Sequence, residues 1–584
     1  MKSFFKNVLA NIVAIVLLCV VFFFFFIMLL VFSSMSGEKS VVVKKNSVLT
    51  VNLNTQIIDS PTEEQGGLFN MSSQNKSILI YEALEAIRKA KTDDNIKGIS
   101  IEADNLNAGI TQIDDLRNAL QDFKKSGKFI YAYGNNVSQS SYYLGSVADQ
   151  YYLNPSGMIE LKGLATEVTF FKDFADKYGI GIEVIRHGKF KSAVEPFLRN
   201  DISPENKEQL SVLLNDLWKN TADKMAVSRK IDTAAFRSSV DSLYGMIPEL
   251  TLKHKLTDKL IQHSEYDQII KSKLQLKEKD KLNKISLGKY IASYEEESGS
   301  GDQVAVLYAS GSINSGDDYN DINSEKYIKY IKDLQKNDKV KAVVLRINSP
   351  GGSANASDEI LFELQQLKKK KPLIVSFGDY AASGGYYIAM AADKIYSEPN
   401  TLTGSIGVFG VLPYFKEVAN KNGVRSDIVG TNANSAYFSS LNGLTPHGVT
   451  MMTRSVEGTY KRFVHFVTQN RKQTFEQIDS IGGGRVWSGT RAKQIGLVDE
   501  LGSLSDAVKF AAQKAGVKSY DVSTYPKKMT AFEQVFQNLN EDDISARVIK
   551  NKIGKANYEI FQQITDEKLK SEVKMQMPYE IRIN

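Results

Sequence analysis

Residues 341–377 run KAVVLRINSPGGSANASDEILFELQQLKKKKPLIVSF. Lys341–Ile347 gathers Ala342, Val343, Val344, Leu345 and Ile347 into a short β-rich run, the composition of a buried strand. Asp358–Leu367 sets Ile360, Leu361, Leu364 and Leu367 at the three- and four-residue spacing that gives a helix one apolar face. Leu373–Phe377 returns to a strand pattern. Strand, helix and strand in this order form a β-α-β unit, and a right-handed crossover lays the two strands parallel with the helix packed outside. The fold class expected is therefore α/β with a largely parallel sheet.

The same unit occurs twice. Shifting the chain by 244 positions sets Lys97 on Lys341, Asp114 on Asp358, Leu120-Gln121 on Leu364-Gln365, Lys124-Lys125 on Lys368-Lys369 and Gly134 on Gly378. Without a gap the register continues through Tyr142-Tyr143 on Tyr386-Tyr387, Asp149 on Asp393, Pro155 on Pro399, Phe171-Lys172 on Phe415-Lys416 and Gly179 on Gly423. A period this long exceeds any solenoid unit and denotes a duplicated domain. The reading places the first copy at 47–290 and the second at 300–515, joined through Glu295–Asp302, with 516–584 as a tail.

The composition agrees with large folded units. The 584 residues are 42% hydrophobic and 24% charged with 12 prolines, unlike a disordered or collagenous chain. A net charge of +6, spread over many lysines, does not suggest a nucleic-acid partner. One cysteine, Cys19, and five histidines offer neither an intrachain disulfide nor a zinc cluster. No cofactor or metal is expected.

Ile12–Phe32 carries no charge, and as a helix rising 1.5 Å per residue it would span about 31 Å, the thickness of a hydrocarbon core. The stretch exceeds the apolar part of a cleaved signal peptide, so residues 1–36 are read as an uncleaved anchor with a transmembrane helix at about 10–32. Lys2 and Lys6 before it, against Lys39, Lys44 and Lys45 with Glu38 after it, favour a cytoplasmic amino terminus only slightly.

Two glycine-rich turns in the second copy invite chemistry. Asn348-Ser349-Pro350-Gly351-Gly352-Ser353 joins a strand to a helix and would expose backbone N–H groups, the material of an oxyanion hole; it also reads as an ordinary turn. Gly378-Asp379-Tyr380-Ala381-Ala382-Ser383-Gly384-Gly385-Tyr386 places a serine among small residues, where Oγ is open to approach and the Gly384 N–H is free as a donor. Small residues also serve close helix packing. Against that reading, the first copy has Gln139 opposite Ser383 and Leu106-Asn107-Ala108 opposite Pro350-Gly351-Gly352, so both features are missing there together. A serine nucleophile needs a base. His187, His254, His263, His447 and His465 lie in no recognisable triad setting. Lys191, in Gly188-Lys189-Phe190-Lys191-Ser192-Ala193-Val194-Glu195-Pro196-Phe197, has apolar neighbours that could bury its amine and strip its proton, although most lysines are simply solvated.

These strings, together with Thr403-Gly404-Ser405-Ile406-Gly407-Val408, resemble the bacterial signal peptide peptidase A (SppA) family in its long, two-repeat form. The resemblance covers nearly all of the chain. It implies tandem ClpP/crotonase-like domains, spirals of β-α units, behind a single transmembrane helix. It further implies a Ser/Lys dyad with Ser383 as nucleophile and Lys191 as general base, Ser405 orienting the lysine, and Gly352 and Gly384, with Gly351 as their neighbour, supplying oxyanion N–H groups. The implied protein is a homotetrameric, membrane-anchored serine endopeptidase. Its catalytic body would lie on the periplasmic side of the bacterial inner membrane, and its substrates would be cleaved signal peptides and other apolar peptides. Two alternatives belong to other classes: a crotonase-like acyl-thioester enzyme, and a membrane-anchored scaffold for protein quality control.

Overall fold

A computed structural model describes residues 6–7, 11–22, 25, 41–52, 56–61, 77–294, 301–315, 321–527 and 574–576. Part of the expected anchor and most of the expected linker lie outside these residues. Within the apolar amino-terminal stretch, residues 11–22 are helical and exposed. Among the described residues no helix is long and apolar enough to cross a membrane.

The duplication is visible in the elements. Helices Ile80–Thr92 and Ile110–Lys124 of the first half match Ser324–Lys336 and Ala354–Lys368 of the second, residue for residue at the 244 offset. In the first half a parallel sheet runs in the order Lys259–Leu260, Gln150–Ile159, Phe129–Val137, Ile96–Glu102, Ser47–Val51, Lys284–Ser286. The second half repeats the arrangement around Leu402–Gly404, Leu373–Ala382, Val340–Ser349 and Gln303–Ser310. The strands expected at 341–347 and 373–377 thus extend to Ser349 and Ala382, which carries both glycine-rich turns to the carboxyl ends of adjacent parallel strands. Ligands of open α/β sheets bind at those ends.

One feature departs from the sequence reading. The segment from 516 on, expected as a tail, contributes two strands: Asp521–Tyr525 pairs in parallel with Gln303–Ser310, and Lys574–Gln576 enters a different sheet. The alternating Val522, Thr524 pattern suits a sheet edge, but five residues are too few to signal it in isolation. The two copies share a sheet, as a dyad drawn from both requires. A third sheet of six strands mixes them, in the order Ile322–Asn323, Ile313–Asn314, Gly351–Ser353, Lys574–Gln576, Val408–Tyr414, Gly181–His187, the last strand coming from the first half.

Buried polar contacts fix one half on the other. Arg346 Nε lies 3.0 Å from both carboxylate oxygens of Asp59, and its Nη1 donates to Ser376 Oγ at 3.0 Å. Asp379 Oδ1 accepts from the Thr111 backbone N–H and hydroxyl at 2.9 Å each, and Asn400 Nδ2 donates to Asp114 Oδ2 at 2.7 Å. Such pairs contribute less to net stability than apolar packing of equal volume, but each has a narrow geometry and so selects one relative placement of the halves.

Candidate active site

Strand Gly181–His187 runs antiparallel to Val408–Tyr414, from His187 opposite Val408 to Gly181 opposite Tyr414. The chain then passes Gly188, at φ 100° and packed against the Gly483 carbonyl, and enters a tight 3-10 turn at Ser192–Val194. Glu195, itself buried, anchors that turn by accepting from Ser203 Oγ at 2.5 Å and Asn206 Nδ2 at 3.1 Å. Lys191 is thereby driven inward and is fully buried.

Its amine meets two serines of the other half. Nζ lies 2.9 Å from Ser383 Oγ, 2.9 Å from Ser405 Oγ and 3.2 Å from the Ser405 carbonyl oxygen. Burial holds the amine well below the usual lysine range, and among the described residues no carboxylate beside it restores the charge. In the neutral form Nζ has a lone pair for the Ser383 hydroxyl proton while its own N–H groups reach the Ser405 oxygens. Both serines adopt left-handed backbone, Ser383 at φ 55°, ψ −116° and Ser405 at φ 51°. Side chains avoid this region, so the surroundings must enforce it. They do so through the Ser383 N–H donating to Gly404 O at 2.9 Å and the Ser405 N–H donating to Arg485 O at 2.7 Å.

The glycines line the same cleft. A Cβ on Gly351 would stand 2.7 Å from Gly384 N, and one on Gly384 would stand 3.2 Å from Gly352 N, so the two turns converge with backbone rather than side chains between them. The cleft also holds an extended peptide of this chain. Lys574–Gln576 lies antiparallel to Gly351–Ser353, with Met575 opposite Gly352, and pairs on its other side with Phe409. The Met575 carbonyl oxygen is 2.1 Å from where a Gly351 Cβ would lie and 3.2 Å from the corresponding Gly384 position, and the Met575 side chain is buried.

The structure thus brings together Lys191, Ser383, Ser405, Gly351, Gly352 and Gly384. Four of the five histidines are engaged elsewhere: His187 stacks on Tyr460, His254 on Tyr244, His263 pairs with Glu102 and His465 contacts Gln469. Sequence reasoning missed two contributors. Gly484 admits Lys191, since a Cβ there would come within 2.6 Å of the lysine backbone N; the run Gly482-Gly483-Gly484 was the available signal. The Lys574–Gln576 strand had none. In the first copy Gln139 takes the place of Ser383 and turns its amide to the Lys162 and Gly163 backbone at 2.9–3.0 Å.

The sequence of this chain matches the model of peptidase family S49 over residues 122–281 and 365–518, one match per copy, and that of Clp protease over 295–403. The chain belongs to peptidase family S49. This S49 peptidase is 36% identical to Protease 4 of Salmonella typhi over 84% of its own length and 82% of the relative's. It is 33% identical to Protease 4 of Haemophilus influenzae, over 82% of this chain and 80% of the other. It is 32% identical to the chloroplastic serine protease SPPA of Arabidopsis thaliana, over 88% and 75% respectively. The S49 chain is a serine peptidase of the two-repeat SppA type, with a ClpP-like α/β fold in tandem.

Proposed function

We propose that this S49 peptidase is a membrane-anchored endopeptidase that cuts signal-peptide remnants and other short apolar peptides with a dyad of Ser383 and Lys191. The observation carrying this reading is the 2.9 Å approach of a fully buried, charge-disfavoured lysine amine to the hydroxyl of a backbone-strained serine.

In the first half-reaction neutral Lys191 takes the Ser383 Oγ proton as Oγ bonds to the peptide carbonyl carbon, and the oxyanion is held by backbone N–H groups of Gly352 and Gly384. The C–N bond then breaks, Lys191 returns the proton to the leaving amine, and an acyl ester remains on Ser383. Water, deprotonated by the same amine, hydrolyses the ester. Ser405 keeps Nζ aimed at Oγ throughout. Substrate adds as an extended strand between Gly351–Ser353 and Val408–Phe409, the way Lys574–Gln576 lies, with an apolar side chain in the pocket that Met575 fills. This mode reads backbone and apolar bulk, as suits signal-peptide fragments. The exposed apolar helix at residues 11–22 supports a membrane anchor; a catalytic body on the periplasmic face of the inner membrane and a homotetrameric enzyme complete the proposal.

The test is hydrolysis of a quenched apolar peptide by the detergent-solubilised full chain. Ser383→Ala and Lys191→Ala should each abolish turnover, and mass spectrometry of the quenched wild-type reaction should find the acyl group on Ser383. Full turnover by either variant, or acylation elsewhere, would falsify the dyad.

A further inference from the structure

Lys191 comes from the first half, yet the two serines that its amine meets belong to the second. Residues 482–485 lie between the lysine turn and the Ser405 turn. The Phe190 N–H donates to Gly483 O at 3.0 Å, the Gly484 N–H donates to Ile406 O at 2.7 Å, and the Arg485 carbonyl accepts from the Ser405 N–H at 2.7 Å. One short loop thus grips both the residue before the lysine and the turn that orients its amine. Gly484 lies so close to Lys191 that a Cβ would come within 2.6 Å of the lysine's own Cβ, so cover on that flank falls to the next residue.

Arg485 is 17% exposed, and its guanidinium carbon lies 4.6 Å from the centroid of the Phe190 ring and 4.5 Å from that of the Trp487 ring. One ring belongs to each half. Trp487 is itself fixed, with Nε1 donating to Ile481 O at 2.9 Å and its backbone opposite Thr403 in the sheet. Arg485 Nη2 also donates to Glu208 Oε1 at 2.8 Å, but the Glu208 side chain is 57% exposed, and an ion pair so open to water contributes little. The two rings, rather than the carboxylate, therefore hold the guanidinium in place.

We propose that Arg485 is a positioning residue for the general base: by clipping Phe190 to Trp487 it holds the lysine turn of one half on the Ser405 loop of the other. The clip keeps Nζ aimed at Ser383 Oγ and closes that flank of the amine to water. Arg485 acts through Lys191 and not on the substrate, and its role rests on the dyad reading of Lys191 and Ser383. Nearby charged groups are committed elsewhere. Arg186 Nη1 donates to the Lys191 carbonyl at 3.3 Å, His187 stacks on Tyr460, Glu195 accepts from Ser203 and Asn206, and Lys189 is exposed.

The test is the pH dependence of kcat/KM for a quenched apolar peptide, measured on the detergent-solubilised full chain. Arg485→Met keeps an unbranched apolar stem and removes the guanidinium. Water admitted beside Nζ favours the charged amine, so the acid limb should move up by about one pH unit, lowering kcat/KM on that limb by about 10-fold with KM unchanged. Phe190→Leu reaches the same contact from the other half and should give the same shift, and the double variant should be no worse than either single one. Arg485→Lys, which keeps the charge without the planar stack, should also be shifted, whereas Glu208→Gln should match wild type. A wild-type profile in Arg485→Met or Arg485→Lys, even at a reduced rate, marks a merely structural part and overturns the proposal, as do a shifted profile in Glu208→Gln and additive losses in the double variant. If circular dichroism shows Arg485→Met unfolded, Phe190→Leu decides by the same criterion. Turnover retained by Ser383→Ala or Lys191→Ala overturns the dyad reading itself; inactive dyad variants beside an unshifted Arg485→Met overturn this inference alone.

Discussion

Lys191 and Ser383 stand 192 positions apart in the chain, yet their Nζ and Oγ atoms lie 2.9 Å apart. The contact joins the two halves of a duplication in which neither half retains both groups: Lys191 matches Ser435, and Ser383 matches Gln139. Whatever holds the halves in register therefore also holds the dyad, and whatever disturbs the lysine's burial alters its basicity.

The first prediction concerns that basicity. The rate of peptide hydrolysis should rise with pH through an amine ionising well below the ordinary lysine value of 10.5. The unfolded chain keeps the proton up to about 10.4, so stability rises with pH between the folded and unfolded values, at up to about 1.4 kcal/mol per pH unit. Below the folded value the full cost of burying the charge is present. Lys191→Met should therefore be inactive but more stable than wild type on the acid side, the difference shrinking toward alkaline pH. Denaturant titrations at several pH values check this, and a Lys191→Met variant less stable than wild type throughout would count against it.

Gly484 tests how the lysine is admitted. It sits at φ 87°, and an added Cβ would lie 2.6 Å from the Lys191 backbone N and 2.6 Å from its Cβ. Both partners are close to main chain, so little can yield. Gly484→Ala should lower kcat by about 100-fold or more, since a displacement of about 1 Å at a reacting group costs that much. KM for a short peptide should change little, because the strand-binding edges are untouched. Steady-state kinetics separates the two constants.

Lys574–Gln576 occupies the cleft between Gly351–Ser353 and Phe409. A peptide that binds there must displace it. A chain ending at Val573 should show a lower apparent KM for apolar peptides with kcat unchanged, and a synthetic peptide spanning residues 574–576 should inhibit that shortened enzyme competitively. An unchanged KM would show that substrate approaches Ser383 by another path.

A buried carboxyl pair makes the contact between the halves pH-sensitive in the opposite sense to Lys191. Asp115, on helix Ile110–Lys124, is pushed up to about 7, chiefly by burial and further by Asp114 and Asp59, against the pull of Arg346. Glu398, just beyond strand Lys394–Ser397, is raised well above its usual range by burial and by Asp115. A carboxyl whose folded value is raised binds a proton that the unfolded chain has released, so this contribution is fully present below about pH 4 and is lost as pH climbs to about 7. Asp115→Asn should flatten the fall in melting temperature between pH 5 and pH 7 and raise it at neutral pH. Thermal melts across that range decide it.

Local pattern and repetition were legible from the order of the residues. The β-α-β order follows from the spacing of Ile360, Leu361, Leu364 and Leu367 between two aliphatic runs, and the 244-residue offset recovers helix bounds in both copies because equal side-chain patterns bury equal faces. Ser383 and the Gly351-Gly352 turn were legible because a nucleophile and its donors need small neighbours, which composition reveals. That Lys191 is the amine that loses its charge follows from how distant parts of the chain pack around it. That outcome depends on desolvation by residues remote in the chain, Gly407, Gly484 and Ser405 among them, and burial is a property of the assembled volume rather than of any window of sequence. The same holds for Lys574–Gln576, whose three residues pair through backbone groups that every sequence possesses.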